Sequence, residues 1–145
     1  MKTDELDLWA AYIRAEYEVG FPGNRLVLRV GEPATGLARL VPDAALPTFG
    51  AETSWAYLTA WNPGSVIHME FVNRQKQEDL ELFLRGAGYA VLPGVARDPR
   101  GEWPDEESIL AFGLGWETAL QLGRTFRQNA ILAGLGEDTV QLLRC

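Results

Sequence analysis

The chain has 145 residues, 47% of them hydrophobic and 23% charged, with a net charge of −7. That length is enough to build one domain, over residues 1–145, around a core that needs no disulfide staples. The acidic balance repels phosphate backbones and so disfavours nucleic acid as a partner, no apolar run approaches the ~20 residues of a membrane helix, and the one cysteine, Cys145, excludes a disulfide frame or a thiolate cluster.

The opening MKTDELDL is acidic and does not read as a signal or transit peptide, so the expected compartment is the cytoplasm. Leu6, Trp9, Ala10, Ile13 and Tyr17 then recur with the spacing of one helix face. Asp4, Glu5 and Asp7 lie in its first turn, where the helix dipole favours carboxylates. Gly20, Pro22 and Gly23 end it, and RLVLRV (25–30) reads as a strand. Residues 32–54 are rich in Gly, Pro, Ala and Thr, and read as a surface connection with one short apolar piece at 37–41.

WAYLTAW (55–61) is the strongest strand, and it runs into the turn NPGS. Met69, Val72, Leu80, Phe83, Leu84 and Ala87 mark a helix stopped by Gly86 and Gly88. Residues 89–95 form a strand, RDPRGEWPDEE is turn chemistry, and SILAFGL (108–114) is a strand. Trp116, Ala119, Leu120, Gly123 and Phe126 outline a second helix, and residues 130–133 and 139–143 flank GLGED as a closing hairpin. The five tryptophans read mostly as core.

This order predicts an α+β fold: two layers in the ferredoxin-like split βαβ order, a mainly antiparallel sheet with helices on one face, and an added N-terminal helix and strand. Such a topology carries three distant polar segments to one end of the sheet. They are the turn after the first strong strand with the helix start behind it, the loop at 94–105 with the strand that follows, and the end of the second helix. The residues gathered there are Asn62, Ser65, Asn73, Gln77, Trp103, Glu107, Ser108, Arg124, Gln128 and Asn129.

Each also has a plainer reading. Asn62 before Pro63 suits an ordinary strand-ending turn. Asn73 and Gln77, four apart, suit a solvated helix face, as do Arg124 and Gln128. The carboxylates at 98, 102, 105, 106 and 107 suit a solvated loop, with Glu107 singled out because it abuts a buried strand. His68, the only histidine, suits a capping or surface role. One histidine and one terminal cysteine leave no zinc set and no Ser-His-Asp or Cys-His arrangement. Neither Gly-rich turn has the spacing of a phosphate loop. No metal and no cofactor is expected.

TAWNPGS, Asn73, GEWPDEES and GRTFRQNAI together resemble a bacterial family known as the domain of unknown function numbered 3293, over nearly the whole chain. The resemblance implies a compact single-domain bacterial protein and carries no activity with it. The matching positions include Trp61, Asn62, Pro63, Ser65, Asn73, Trp103, Glu106 or Glu107, Ser108, Gln128 and Asn129. The chain departs from the pattern at Gln77, where asparagine is common, and at Arg127, where glycine is common.

The functional expectation is a small-ligand-binding domain whose polar pocket takes a nucleoside, nucleotide or sugar-like molecule. One alternative is a metal-free hydrolase or transferase with Glu107, or its neighbour Glu106, as general base. The other is a protein-interaction module without a ligand, in which the polar motifs are structural. Oligomeric state is not legible in the sequence.

Overall fold

The structure, a computed structural model, describes residues 5–43 and 49–145. Among them the chain runs α1 (Glu5–Arg14), β1 (Glu16–Phe21), β2 (Asn24–Leu28), a short 3-10 helix (Leu37–Leu40), β3 (Ser54–Leu58), α2 (Glu70–Gly86), β4 (Ala90–Arg97), β5 (Glu106–Phe112), α3 (Trp116–Thr125), β6 (Ala130–Leu135) and β7 (Gln141–Arg144). All seven strands join one sheet in the order β2-β1-β4-β5-β3-β6-β7, antiparallel at each junction. This is an α+β arrangement. None of these helices is long and apolar enough to cross a membrane.

The central strands are buried on both faces, which is why they read as near-continuous apolar runs rather than as alternation. Ala56, Leu58, Val91, Ile109, Ala111 and Ile131 form one core with the helices. α2 contributes Leu80 and Leu84, and α3 contributes Ala119 and Leu122. Alternate residues, among them Trp55, Tyr57, Leu92, Leu110, Phe112 and Leu132, point to the opposite face and build a second core.

That second face is concave. The Tyr57 hydroxyl on β3 donates to the Glu18 carbonyl on β1 at 3.0 Å, although β5 and β4 lie between those strands. The chord requires Gly94 on β4: a Cβ there would lie 2.6 Å from the Glu18 carbonyl oxygen and 2.8 Å from the Tyr57 ring. The segment after β2 straps onto the segment before β7 through Gly31 N–H to Val140 O (2.9 Å) and Ala34 N–H to Asp138 O (3.0 Å). α1 lies across the end where β1 begins and β4 finishes.

Several expectations change. The first helix stops at Arg14, and Tyr17 belongs to β1, which pairs with β2 in a hairpin. Tyr17 and Val19 alternate inward along that strand, and Tyr17 matched the helical spacing by coincidence. The helix face read from Leu6 and Ile13 is not the inner one, since Leu6 is 77% exposed while Ala11 is buried. Asp4, assigned to the first turn, lies outside the described residues.

The connection at 32–54 is more than a surface loop. Ala34, Leu37, Leu40 and Val41 are buried in the concave core, while residues 44–48 lie outside the described residues. α2 and α3 share one face as expected, but the other face is filled by the curl and this connection instead of being left as the open side of two layers. Of the five tryptophans only Trp55 is fully buried, and Trp116, the first residue of α3, is 55% exposed.

Candidate functional site

The turn that follows β3 is held in an uncommon conformation. Asn62 (φ 45°) and Ser65 (φ 58°) are left-handed without being glycine, with Gly64 (φ 69°) between them. Left-handed geometry costs a residue with a Cβ roughly 1–2 kcal/mol, so the surroundings must impose it. They do so through amides. Asn73 Oδ1 accepts from the Asn62 N–H (2.8 Å), and Asn62 Oδ1 accepts from Asn73 Nδ2 (2.7 Å) and the His68 N–H (2.9 Å). Gln77 Oε1 accepts from the Ala60 N–H (2.9 Å), and Gln128 Nε2 donates to the Trp61 carbonyl (3.2 Å).

The Arg127 carbonyl accepts from the Gly64 N–H at 2.7 Å. Arg127 is itself left-handed (φ 57°), which explains glycine as the residue suited to that position. Its side chain is exposed and does not line the cavity beneath α1.

Beneath α1 the concave face opens into a partly enclosed cavity of about 90 Å³. Leu8, Ala11 and Tyr12 of α1, with Ala15 just after it, form its roof. Asn62, Ser65, Trp103, Ser108 and Gln128, all expected at the site, line it. Tyr17, Tyr57, Thr59 and Glu106 line it as well and were not singled out from the sequence as binding residues. The remaining wall is largely aliphatic and includes Leu132 and Leu142.

The other expected residues stand elsewhere. Asn73 (2% exposed) and Gln77 (7% exposed) are buried against the turn's backbone and line no part of this cavity. Asn129 is one step behind the lining, donating from Nδ2 to Ser65 Oγ at 2.8 Å, and Ser65 Oγ in turn meets the Tyr12 hydroxyl at 2.8 Å. Arg124 is exposed on α3 away from the cavity. His68 is exposed and contributes its backbone to the turn.

Glu107 is displaced by the phase of β5. Residues 108, 110 and 112 face the concave core, so Glu106 enters the cavity with them, while Glu107 shares the helix face with Ile109 and Ala111. There its carboxylate is 44% exposed and lies 3.5 Å from Arg74 Nη1. Both faces of β5 are apolar further along, so the sequence held no signal for choosing between the two glutamates.

Glu106 is the chemically distinctive group. Its carboxylate accepts from Asn62 Nδ2 at 3.3 Å and forms no ion pair among the described residues. Burial pushes its pKa up to about 7, with the Asn62 hydrogen bond pulling the other way. The other charges at the rim are paired. Asp98 takes a two-point contact from Arg14 (2.9 and 3.0 Å), and Arg97 meets Glu18 and Asp105. The Arg14 hydrogen bonds hold Asp98 well below the usual carboxylate range. Burial raises the Tyr17 and Tyr57 phenols, so both stay protonated. Among the described residues no three His, Cys, Asp or Glu side chains gather as metal ligands.

Fold and site together define an α+β protein with a curled antiparallel sheet and a carboxylate-bearing cavity at one end of its concave face. The chain belongs to the family described as Protein of unknown function (DUF3293), which it matches over residues 58–131, just over half its length. The matched span holds the turn, α2, β4, β5 and α3, and leaves outside it the α1 helix that roofs the cavity. No curated protein and no solved structure matches the chain.

Proposed function

We propose that the chain is a small-ligand-binding domain whose site is the cavity beneath α1. The observation that carries this reading is Glu106, a carboxylate among mostly apolar walls that, among the described residues, one amide answers and no cation does. Burying such a group is unfavourable unless something pairs with it, and shifted carboxyls concentrate where proteins bind or react. The ligand that fits has an apolar or ring-shaped body and a hydrogen-bond donor directed at Glu106. Nucleoside- or sugar-like compounds meet that requirement. A phosphate is disfavoured, because Arg124 lies outside the cavity and Glu106 repels an anion.

A second reading, a hydrolase or transferase, rests on the same carboxyl and takes Glu106 rather than Glu107 as general base. A group titrating near 7 exchanges protons readily at neutral pH. Turnover lost in Glu106→Gln with binding retained would favour it. The neighbour order β4-β5-β3-β6 supports reading the central strands as a ferredoxin-like split βαβ unit, with α1, β1 and β2 added before it. A single cysteine supports a cytoplasmic setting.

A thermal-shift screen of neutral polar compounds against the parent and Ala96→Leu tests the binding reading, because Ala96 lines the cavity and makes no side-chain hydrogen bond. Compounds that raise the midpoint of the parent but not of the filled variant support it. If none shifts the parent, or if both proteins respond alike, the cavity is structural and the interaction-module reading gains.

A further inference from the structure

We infer that the cavity receives a small organic cation, a protonated amine on an apolar body, with Glu106 as its counter-ion. This rests on the cavity being a ligand site, and it fixes the charge of the donor that the binding reading leaves open.

The first argument is a count of protons. Four hydroxyls in the cavity wall each donate their single proton to a backbone carbonyl. Tyr17 gives to Tyr12 O, Tyr57 to Glu18 O, Thr59 to Glu107 O and Ser108 to Glu106 O. What they can still offer a guest is oxygen lone pairs. Of the lining amides, Gln128 Nε2 gives both protons to the Trp61 and Phe126 carbonyls, and Asn62 Nδ2 gives one of its two to Glu106. Tyr12 and Ser65 bond to each other and both accept from Asn129 Nδ2, which leaves one proton between them. The interior therefore offers more acceptors than donors, the other donors in its lining being the Trp103 indole N–H, the second Asn62 amide proton and the Arg97 guanidinium already paired with Glu18 and Asp105. An ammonium, which brings up to three donors and no acceptor, matches that surplus of acceptors.

The second argument is charge. Asp98 and Arg97 at the rim already have opposite charges against them, so Glu106 is the uncompensated one. A cation placed at its carboxylate pairs it in a dry setting, where charge-assisted hydrogen bonds are strongest. Aromatic rings at Tyr12, Tyr17, Tyr57 and Trp103 surround the same space, and ring faces attract cations. The net charge of −7 draws cations toward the protein as a whole.

Benzylamine, benzyl alcohol and benzoate, which share one ring and differ in charge, are suitable probes by ligand-observed NMR with titration of the parent, Glu106→Gln and Ala96→Leu. At about pH 8, benzylamine binds the parent at least about tenfold more tightly than benzyl alcohol, and benzoate binds worst. The preference for the amine disappears in Glu106→Gln. In the parent it fades between about pH 8 and about pH 5 as Glu106 takes up its proton. All binding is lost in Ala96→Leu.

Equal affinity for amine and alcohol in the parent, or an amine preference that survives Glu106→Gln, overturns this inference and leaves the ligand site standing. Failure of all three probes to distinguish the parent from Ala96→Leu overturns both. Circular dichroism of the two variants separates loss of binding from loss of fold.

Discussion

Asn62 Nδ2 donates to the Glu106 carboxylate at 3.3 Å, and no other hydrogen bond reaches that carboxylate among the described residues. A group lifted by burial to about 7 keeps its proton in the folded state after the unfolded chain, with a carboxyl near ~4.3, has lost it. Stability from this group is therefore fully present below about pH 4 and is lost as the pH rises through about 7. The loss amounts to about 3 kcal/mol at mildly alkaline pH. Glu106→Gln should match the parent near pH 4 and exceed it by several degrees in midpoint above pH 7. A difference that stays flat across that range in pH-dependent urea or thermal denaturation would contradict the placement of Glu106.

Asp98 works in the opposite direction. Its carboxyl is held low by Arg14, so its contribution is present above about pH 4 and disappears as the solution is acidified. Asp98→Asn should lower the midpoint at neutral pH, with the gap closing toward strongly acid pH. Thermal melts of both proteins at three or four pH values would reveal it.

The buried amides are structural supports of the site. Asn73→Ala leaves the Asn62 N–H without its acceptor and removes a donor from Asn62 Oδ1, both in a buried setting. The expected loss is about 2–4 kcal/mol. Gln128→Ala, at a partly buried position, should lose only about 1 kcal/mol. Equilibrium urea unfolding ranks the two, and an Asn73→Ala protein as stable as the parent would show that the turn holds itself.

The curl of the sheet depends on a missing side chain. Gly94→Ala places a methyl against the Tyr57 ring and the Glu18 carbonyl, and should destabilise by about 1–3 kcal/mol. Gly86→Ala, in the last turn of α2 with open space around it, should instead gain about 0.5–1 kcal/mol. Both are read from denaturation midpoints.

Much of this was legible in the sequence, and the gaps have physical causes. The strands around Tyr57 and Leu110 announce themselves by apolar runs, and α2 and α3 by apolar spacing and flanking glycines. The meeting of the Asn62 turn with Asn73, β5 and Gln128 follows from element order. β1 was hidden because Tyr17 happens to continue the spacing of the helix before it. The inward-facing Leu37, Leu40 and Val41 sit in a stretch whose Gly and Pro content reads as surface. The choice between Glu106 and Glu107 depends on the phase of a strand buried on both faces, which alternation cannot show. Asn73 and Gln77 are polar residues on the buried face of α2, and composition gives no sign of whether such amides meet a ligand or a backbone.

The decisive measurement is a carboxyl ¹³C NMR titration of the glutamate side chains in the unliganded protein, with Glu106→Gln identifying the signal of Glu106. A midpoint near 7 is the expected result, and it would place a chargeable group at neutral pH inside the cavity. A midpoint near ~4, as for an ordinary exposed glutamate, would mean that Glu106 is solvated and that the cavity lacks the group on which the binding reading rests.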